Sequence, residues 1–245
     1  SMGNNEVSGP SVTTYLSKYI QSIPSPRYSY RIVFIPETIG SIAYISKNLE
    51  KMKENIVAGF NVTCVGDNNN YSYMPSRNGE TLSDKVSRHI LRNKTQEFKE
   101  YSFLERGSDE RQYCYPGVDL PVCSVMRTKY GEYKEYHTSL DDLNFISMDG
   151  LNGAYDIYVA MINALEKNFT YINRTLCEPQ LGKRGLYPNT STKSSNSIVK
   201  TMMDLLTYCD GNLDLISVAE LIKRPVFDLY NLVDTLESKG VIRRK

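Results

Sequence analysis

Four short runs rich in β-branched and aromatic residues, at 30–35, 56–65, 98–104 and 120–126, alternate with segments of helical periodicity. Each run is too short for a buried helix, and the first two end at Pro36 and Gly66-Asp67, so they read as strands. Between them, Val12, Leu16, Tyr19 and Ile20 recur at helical spacing in 9–23, which stops at Pro24 and Pro26. Ile42, Ile45 and Leu49 do the same in 41–53, and Leu82, Val86 and Ile90 in 82–91. A long helix is expected over 151–165. Strands alternating with helices predict an α/β layered domain with a mixed, largely parallel sheet. In such sheets the loops at the carboxyl ends of strands carry function. Glu37, Asp67 and His137 fall in loops of that kind.

The 177–196 stretch shifts to Gly, Pro, Ser, Thr, Asn and Lys, which is linker composition. Beyond it come a helix over 198–208, a turn at Asp210-Gly211-Asn212 and a helix over 217–222 capped by Ser217. A longer helix opened by Pro225 runs to Ser238, and a strand follows at 241–242. That order predicts a winged helix-turn-helix. The expected domains are therefore 1–176 and 197–245, joined by 177–196.

Charge narrows the function classes. The chain of 245 residues carries 29 Lys plus Arg against 28 Asp plus Glu, and its net charge of +1 removes the simplest case for nucleic-acid binding. Within 197–245, seven basic residues face seven acidic ones, and the second helix of the pair carries Asp228, Asp234 and Glu237, which repel phosphate. A protein contact or self-association is the expected role there. The apolar runs are too short to cross a bilayer, and no signal-peptide pattern opens the chain. Five scattered cysteines without a CxxC suggest reduced thiols and a cytoplasmic setting.

Singly, the candidate residues are ambiguous. His137, between Tyr136 and Thr138, suits a metal or a proton shuttle, but equally a loop imidazole bonded to backbone. Glu37 suits a general base in a buried position, or a first-turn carboxylate favoured by a helix dipole. Asp67 beside Asn68, Asn69 and Asn70 suits a metal or a plain turn. The Arg106-Gly107-Ser108-Asp109-Glu110-Arg111 run suits a substrate loop or a solvated turn. Two histidines cannot make a three-His zinc site. No GxSxG elbow and no phosphate-binding glycine loop is present. A thiol–imidazole pair of Cys114 or Cys123 with His137 is the remaining nucleophilic option.

In order along the chain, Asn4-Asn5-Glu6-Val7-Ser8-Gly9, Ile35-Pro36-Glu37-Thr38-Ile39-Gly40-Ser41, Gly66-Asp67, the 106–110 loop, 116–121 and Tyr136-His137-Thr138 resemble a co-catalytic zinc aminopeptidase core. Within that superfamily the chain looks most like bacterial aminopeptidase-like proteins of surface-polysaccharide biosynthesis that end in a winged helix. The resemblance implies zinc as cofactor and hydrolysis of an amide in a peptide, aminoacyl or amino-sugar conjugate. It implies Glu37 as general base, with Asp67, His137 and the position of Asn5 as metal ligands. Ser108, Asp109, Arg111 and Tyr136 take the substrate side.

Three departures accompany it. The first metal histidine expected ahead of Asn4 is not in the sequence, so the domain is expected to lack its amino-terminal part. Asn5 stands where a bridging carboxylate is expected, and a neutral amide is a poor ligand for zinc. Thr38 stands where a second metal-binding Glu is expected. The sequence thus predicts an aminopeptidase-like metallohydrolase that binds zinc weakly or not at all. A non-catalytic binding or scaffold protein on the same fold is the alternative.

Overall fold

The computed structural model describes residues 2–186 and 193–245. By its internal contacts the chain divides into two compact units, Ser1–Asn163 and Ala164–Lys245. Each is described by itself.

The first unit opens with a π-type turn at Gly3–Val7 that leads directly into α1 (Ser8–Gln21), whose Val12 and Leu16 are buried. Helix α2 (Ile39–Asn55) buries Ile45 and Met52 against Cys114, Leu120 and Val122, while Ile42 points outward. Strands β1 (Gly59–Asn61) and β2 (Ser72–Met74) follow, then α3 (Leu82–Lys94) and the two-residue β3 (Lys99–Glu100). The one-turn α4 (Glu110–Tyr113), β4 (Val122–Met126) and the long α5 (Met148–Lys167) complete the unit, and the division between units falls inside α5.

The sheet runs β1-β4-β2-β3. The β1–β4 and β2–β3 pairs are parallel and β2–β4 is antiparallel, so the sheet is mixed and mostly parallel, with Phe60 opposite Cys123 and Tyr73 opposite Val125. Every residue of β4 is buried, as expected of the central strand of a layered sheet. From α5, the Tyr158 hydroxyl donates to the Val125 carbonyl at 2.7 Å.

Several strand expectations change. The 30–35 run forms no strand among the described residues, and Val33 and Phe34 are exposed. Of 56–65 only Gly59–Asn61 pairs, and beyond it Cys64 turns to a φ of 51°. Of 98–104 only Lys99–Glu100 pairs. Beyond it, Ser102 caps a 3-10 turn at Phe103–Glu105, accepting from the Leu104 N–H while Glu105 accepts from the Ser102 N–H. Strand β2 carries no apolar alternation that would announce it; Tyr73 is nevertheless fully buried.

Among the described residues, the second unit has a three-stranded antiparallel sheet and three α-helices that begin within it. Strand β5 (Thr170–Asn173) lies between β6 (Asp210–Asp214) and β7 (Ile242–Arg244). Helices α6 (Lys193–Thr207), α7 (Leu215–Leu221) and α8 (Val226–Ser238) supply a core of Leu205, Leu215, Ile216, Val226, Leu229, Val233 and Leu236. This is the winged arrangement. Two local expectations shift: Asp210–Asp214 pairs as a strand where a turn is expected, and Asp214, accepting from the Ser217 N–H at 2.8 Å, caps α7 in place of Ser217. Strand β5, from the 1–176 segment, belongs to this sheet. Of the 177–196 linker, residues 187–192 lie outside the described residues. Among the described residues no helix is long and apolar enough to cross a membrane.

Asp84 ties α3 to the end of β2. Its buried carboxylate accepts from the Tyr73 hydroxyl at 2.6 Å, from Ser76 N–H and Oγ at 2.8 and 2.5 Å, and from Thr81 N–H and Oγ1 at 2.9 and 2.6 Å. Burial alone pushes the carboxyl up, but the donors from Ser76, Thr81 and Tyr73 outweigh it and hold the group below the usual Asp range. The carboxylate therefore contributes stability above the unfolded Asp pKa, lost as pH falls through the lower folded value. Asp84→Asn, which turns an amide N–H toward donors, is expected to cost about 3 kcal/mol at neutral pH by thermal unfolding, and less in acid.

Candidate functional site

Asp67 follows β1 and is fully buried. Its Oδ1 accepts from the Asn69 N–H at 3.0 Å and the Thr128 hydroxyl at 2.7 Å. Its Oδ2 accepts from Asn4 Nδ2 at 3.0 Å and the Thr128 N–H at 2.9 Å. Asn4 completes the exchange, its Oδ1 accepting from the N–H groups of Gly66 and Asp67 at 2.7 and 3.2 Å. The Gly3–Val7 turn is held in turn by Asp141, whose carboxylate accepts the Asn4 and Asn5 N–H groups at 2.6 and 3.1 Å. Gly150 at the start of α5 lies so close to the carbonyls of Gly66 and Asp67 that no Cβ fits there.

A second group forms where α2 begins. Thr38 adopts a φ of 61°, a conformation that costs a β-branched residue dearly and that the surroundings must hold. Its N–H and the Ser41 hydroxyl both donate to Asp109 Oδ1, at 2.8 and 2.9 Å. Its own hydroxyl accepts from Arg111 Nη2 at 2.5 Å, and the same nitrogen stands 3.6 Å from Glu37 Oε1. Arg111 Nε is buried without a hydrogen-bond partner. Burial raises the Glu37 carboxyl above its ordinary value, the negative charge of Asp109 raises it further, and Arg111 offsets part of this. Tyr136 is half-buried, its hydroxyl raised by burial and by the fields of Cys64, Glu37 and Glu6.

Glu110, the residue after Asp109, is a third centre that the sequence did not single out. Its Oε1 accepts from the N–H groups of Gly107 and Ser108 at 3.0 Å each and from the Tyr130 hydroxyl at 2.6 Å. Its Oε2 accepts from Asn61 Nδ2 at 3.0 Å and Ser124 Oγ at 3.3 Å. Ser108 Oγ accepts from the same Asn61 amide at 3.2 Å. These bonds join β1, β4 and the 107–110 loop; the local charge run gives no sign of it.

The structure thus brings Glu37, Asp109 and Arg111 together, with Tyr136 in their field, and places Asn5 beside Asn4 on the Asp67 network. His137 stands apart. It is exposed, with a φ of 57°, and its ring stacks on Tyr136 at 3.9 Å between centroids. Cys64, Cys114 and Cys123 do not suit nucleophilic attack: burial pushes Cys64 up to about 12, Cys114 up to about 11 and Cys123 well above its ordinary value.

Zinc does not fit these residues as arranged. All four donor contacts of Asp67 occupy the lone pairs a metal needs, Asp141 is engaged by two backbone N–H groups, and Asn5 offers a neutral amide whose Nδ2 donates to Glu6 Oε1 at 3.0 Å. Among the described residues no three His, Cys, Asp or Glu side chains stand together as a metal-holding group.

Residues 1–168 match the family profile of DUF4910, a domain of unknown function, and residues 169–244 match a winged helix-turn-helix family. The chain belongs to the DUF4910 family. A polysaccharide biosynthesis protein with an aminopeptidase-like domain from Clostridium acetobutylicum is 40% identical over 221 residues, which are 89% of this chain and 50% of that protein. A crystal structure from the same organism, described as a peptidase, superposes with a TM-score of 0.89 at 34% identity, covering 99% of this chain and 54% of that one. A zinc aminopeptidase from Bacillus subtilis shares the fold, with a TM-score of 0.57 at 19% identity over 66% of this chain and 42% of its own. This DUF4910 chain therefore has an aminopeptidase-like fold followed by a winged helix, and it spans about half the length of the relatives it matches.

Asp67→Asn, which sets an amide N–H against the Asn4 and Thr128 donors, is expected to destabilise the first unit by about 3 kcal/mol. His137→Ala, at an exposed ring, is expected to shift unfolding by less than about 0.5 kcal/mol. Chemical denaturation of both variants checks the contrast.

Proposed function

We propose that this chain is a binding domain of polysaccharide biosynthesis that keeps the aminopeptidase fold and recognises a peptide, aminoacyl or amino-sugar conjugate through Glu37, Arg111, Asp109 and Tyr136. The observation that carries this reading is the saturation of Asp67 by four protein donors, with each oxygen of Asp141 accepting a backbone N–H beside it. Both carboxylates are committed to holding loops together. Glu37 and Arg111, with Asp109 Oδ2, which accepts no hydrogen bond among the described residues, instead offer one cationic and two anionic groups to a ligand. An ammonium or amide N–H on the ligand donates to Glu37, and its acyl or carboxylate oxygen accepts from Arg111. The winged helix is read as a protein-contact module, since α8 presents Asp228 and Asp234 where a phosphate backbone would lie.

A second reading, amide hydrolysis with Glu37 as general base, draws support from one feature: the raised Glu37 carboxyl, poised nearer neutrality than an ordinary Glu. It extends the likeness to peptidase-named relatives to activity.

Calorimetry with acetylated amino-sugar and aminoacyl ligands separates the two. Binding is expected to weaken about tenfold in Glu37→Gln and in Arg111→Ala, the scale of one charge-assisted hydrogen bond. For an amine ligand, affinity rises with pH through the raised Glu37 value and the Gln variant loses that rise. Zinc titration is expected to give no saturable site. Zinc-dependent cleavage of an aminoacyl-anilide by this chain, abolished in Glu37→Gln, would establish the hydrolase instead.

A further inference from the structure

Glu37 reaches the cleft from a turn that its own sequence does not favour. The Ile39 N–H donates to the Glu37 carbonyl at 2.7 Å, which closes a three-residue turn around Thr38. With Thr38 at a φ of 61° and a ψ of −67°, this is the γ-turn of positive φ, a rare and strained form that a β-branched residue fits poorly. The chain is tight on the far side as well: the Gly40 N–H donates to the Pro36 carbonyl at 3.0 Å, and a Cβ on residue 40 would stand 2.8 Å from the Ile35 Cβ. What opposes the strain comes from one other segment. Asp109 Oδ1 accepts the Thr38 N–H and the hydroxyl of the fully buried Ser41, which also stands 2.9 Å from the Thr38 carbonyl. Arg111 Nη2 donates to the Thr38 hydroxyl. That segment is itself anchored, because Glu110 between the two is fully buried and bonded to Asn61 of β1, to Ser124 of β4 and to the N–H groups of Gly107 and Ser108.

We propose that Asp109, backed by Ser41, is a positioning residue: it holds the Thr38 turn in its strained form and so fixes Glu37 at the cleft from the sheet-anchored 107–111 loop. The inference rests on the reading that Glu37 meets the ligand, and adds how its place is set. Among the described residues Glu37 has no side-chain hydrogen bond to hold it, only the 3.6 Å contact with Arg111, so its direction is inherited from the backbone. An ordinary helix cap serves free N–H groups from the residue just ahead of the helix. Asp109 instead comes from elsewhere in the sequence and takes the N–H of the strained residue itself. The charged groups acting on Glu37 are Asp109, Arg111, Glu6 and Glu110, and none of them is altered by a change at Ser41. Glycine takes positive φ without steric cost, so a glycine at position 38 makes the grip dispensable.

A double-mutant cycle between Ser41 and Thr38 tests it, read by NMR without ligand as the Glu37 carboxyl titration and the amide exchange of residue 38. Ser41→Ala removes a support but no charge. Alone, it is expected to speed exchange of the Thr38 amide at least about tenfold and to bring Glu37 down toward its ordinary value as the carboxyl gains water. Combined with Thr38→Gly, the same substitution is expected to change that exchange by less than about twofold and to leave Glu37 raised. Equal effects in both backgrounds would overturn the proposal and make Ser41 a support of α2 alone. A second contrast covers a Ser41→Ala chain that fails to fold. Asp109→Asn keeps an acceptor oxygen for Thr38 and is expected to keep its amide slow, whereas Asp109→Ala releases it; release in both, or in neither, overturns the proposal. Calorimetry with alaninamide on the same chains separates the two levels. Binding that weakens in Ser41→Ala and recovers with Thr38→Gly supports both, whereas absence of binding to the unaltered chain, with the cycle as expected, removes the ligand reading and leaves the positioning of Glu37 standing.

Discussion

The buried Asp67 carboxylate is the constraint on which the first unit's functional end depends. Its four donors come from three separate segments: the Gly3–Val7 turn, the loop after β1 and the loop after β4. A carboxylate with two to four donors retains its charge inside a protein, but only while each donor stays in place. That condition propagates outward. Asn4 can reach Asp67 only because Asp141 fixes the backbone of Asn4 and Asn5, and α5 can approach only because residue 150 lacks a side chain.

Glu37, Asp109 and Glu110 show how neighbouring carboxylates divide their roles. Glu110 is enclosed and uses both oxygens on five protein donors, so its charge is spent on joining β1, β4 and the 107–110 loop. Asp109 spends one oxygen on Thr38 and Ser41 and leaves the other without a protein donor among the described residues. Glu37 has only a loose contact with Arg111, at 3.6 Å. Desolvation without compensating donors is what raises its carboxyl. The gradient from saturated to unsatisfied runs from Glu110, bonded to β1 and β4, to Glu37 ahead of α2. Groups that can answer to a ligand are those whose bonding is incomplete.

Helical periodicity made α1, α3, α5 and α8 legible, since each helix satisfies its own backbone and needs only one apolar stripe. The sheet was less so. Pairing is non-local, and the most strand-like run, 30–35, stays unpaired among the described residues, whereas the three-residue Ser72–Met74 pairs between β4 and β3. Among site residues, the family likeness put Glu37 and the 108–111 loop in one site, whereas their bonding through Thr38 is set by the folded chain. Glu110 escaped because its donors lie at 61, 107, 108, 124 and 130, a set with no signature in any local window. Asp67 was found, but its saturation by Asn4 and Thr128 is a property of three loops together, which spacing does not encode.

The Asn5 position brings these points together. Its amide donates to Glu6 at 3.0 Å and its carbonyl oxygen lies 3.7 Å from the Cys64 thiol, while its backbone N–H is held by Asp141. An aspartate in the same place would set a second carboxylate against Glu6, next to the charge of Asp141 and within a thiol environment too buried to ionise. A shared proton or a cation would be needed to balance that set. With asparagine, a neutral amide donates to the Glu6 carboxylate and position 5 adds no charge of its own. The amide at Asn5 and the threonine at 38 therefore act in one direction. Each closes its bonding within the protein, Asn5 on Glu6 and Cys64, and Thr38 on Arg111 and Asp109.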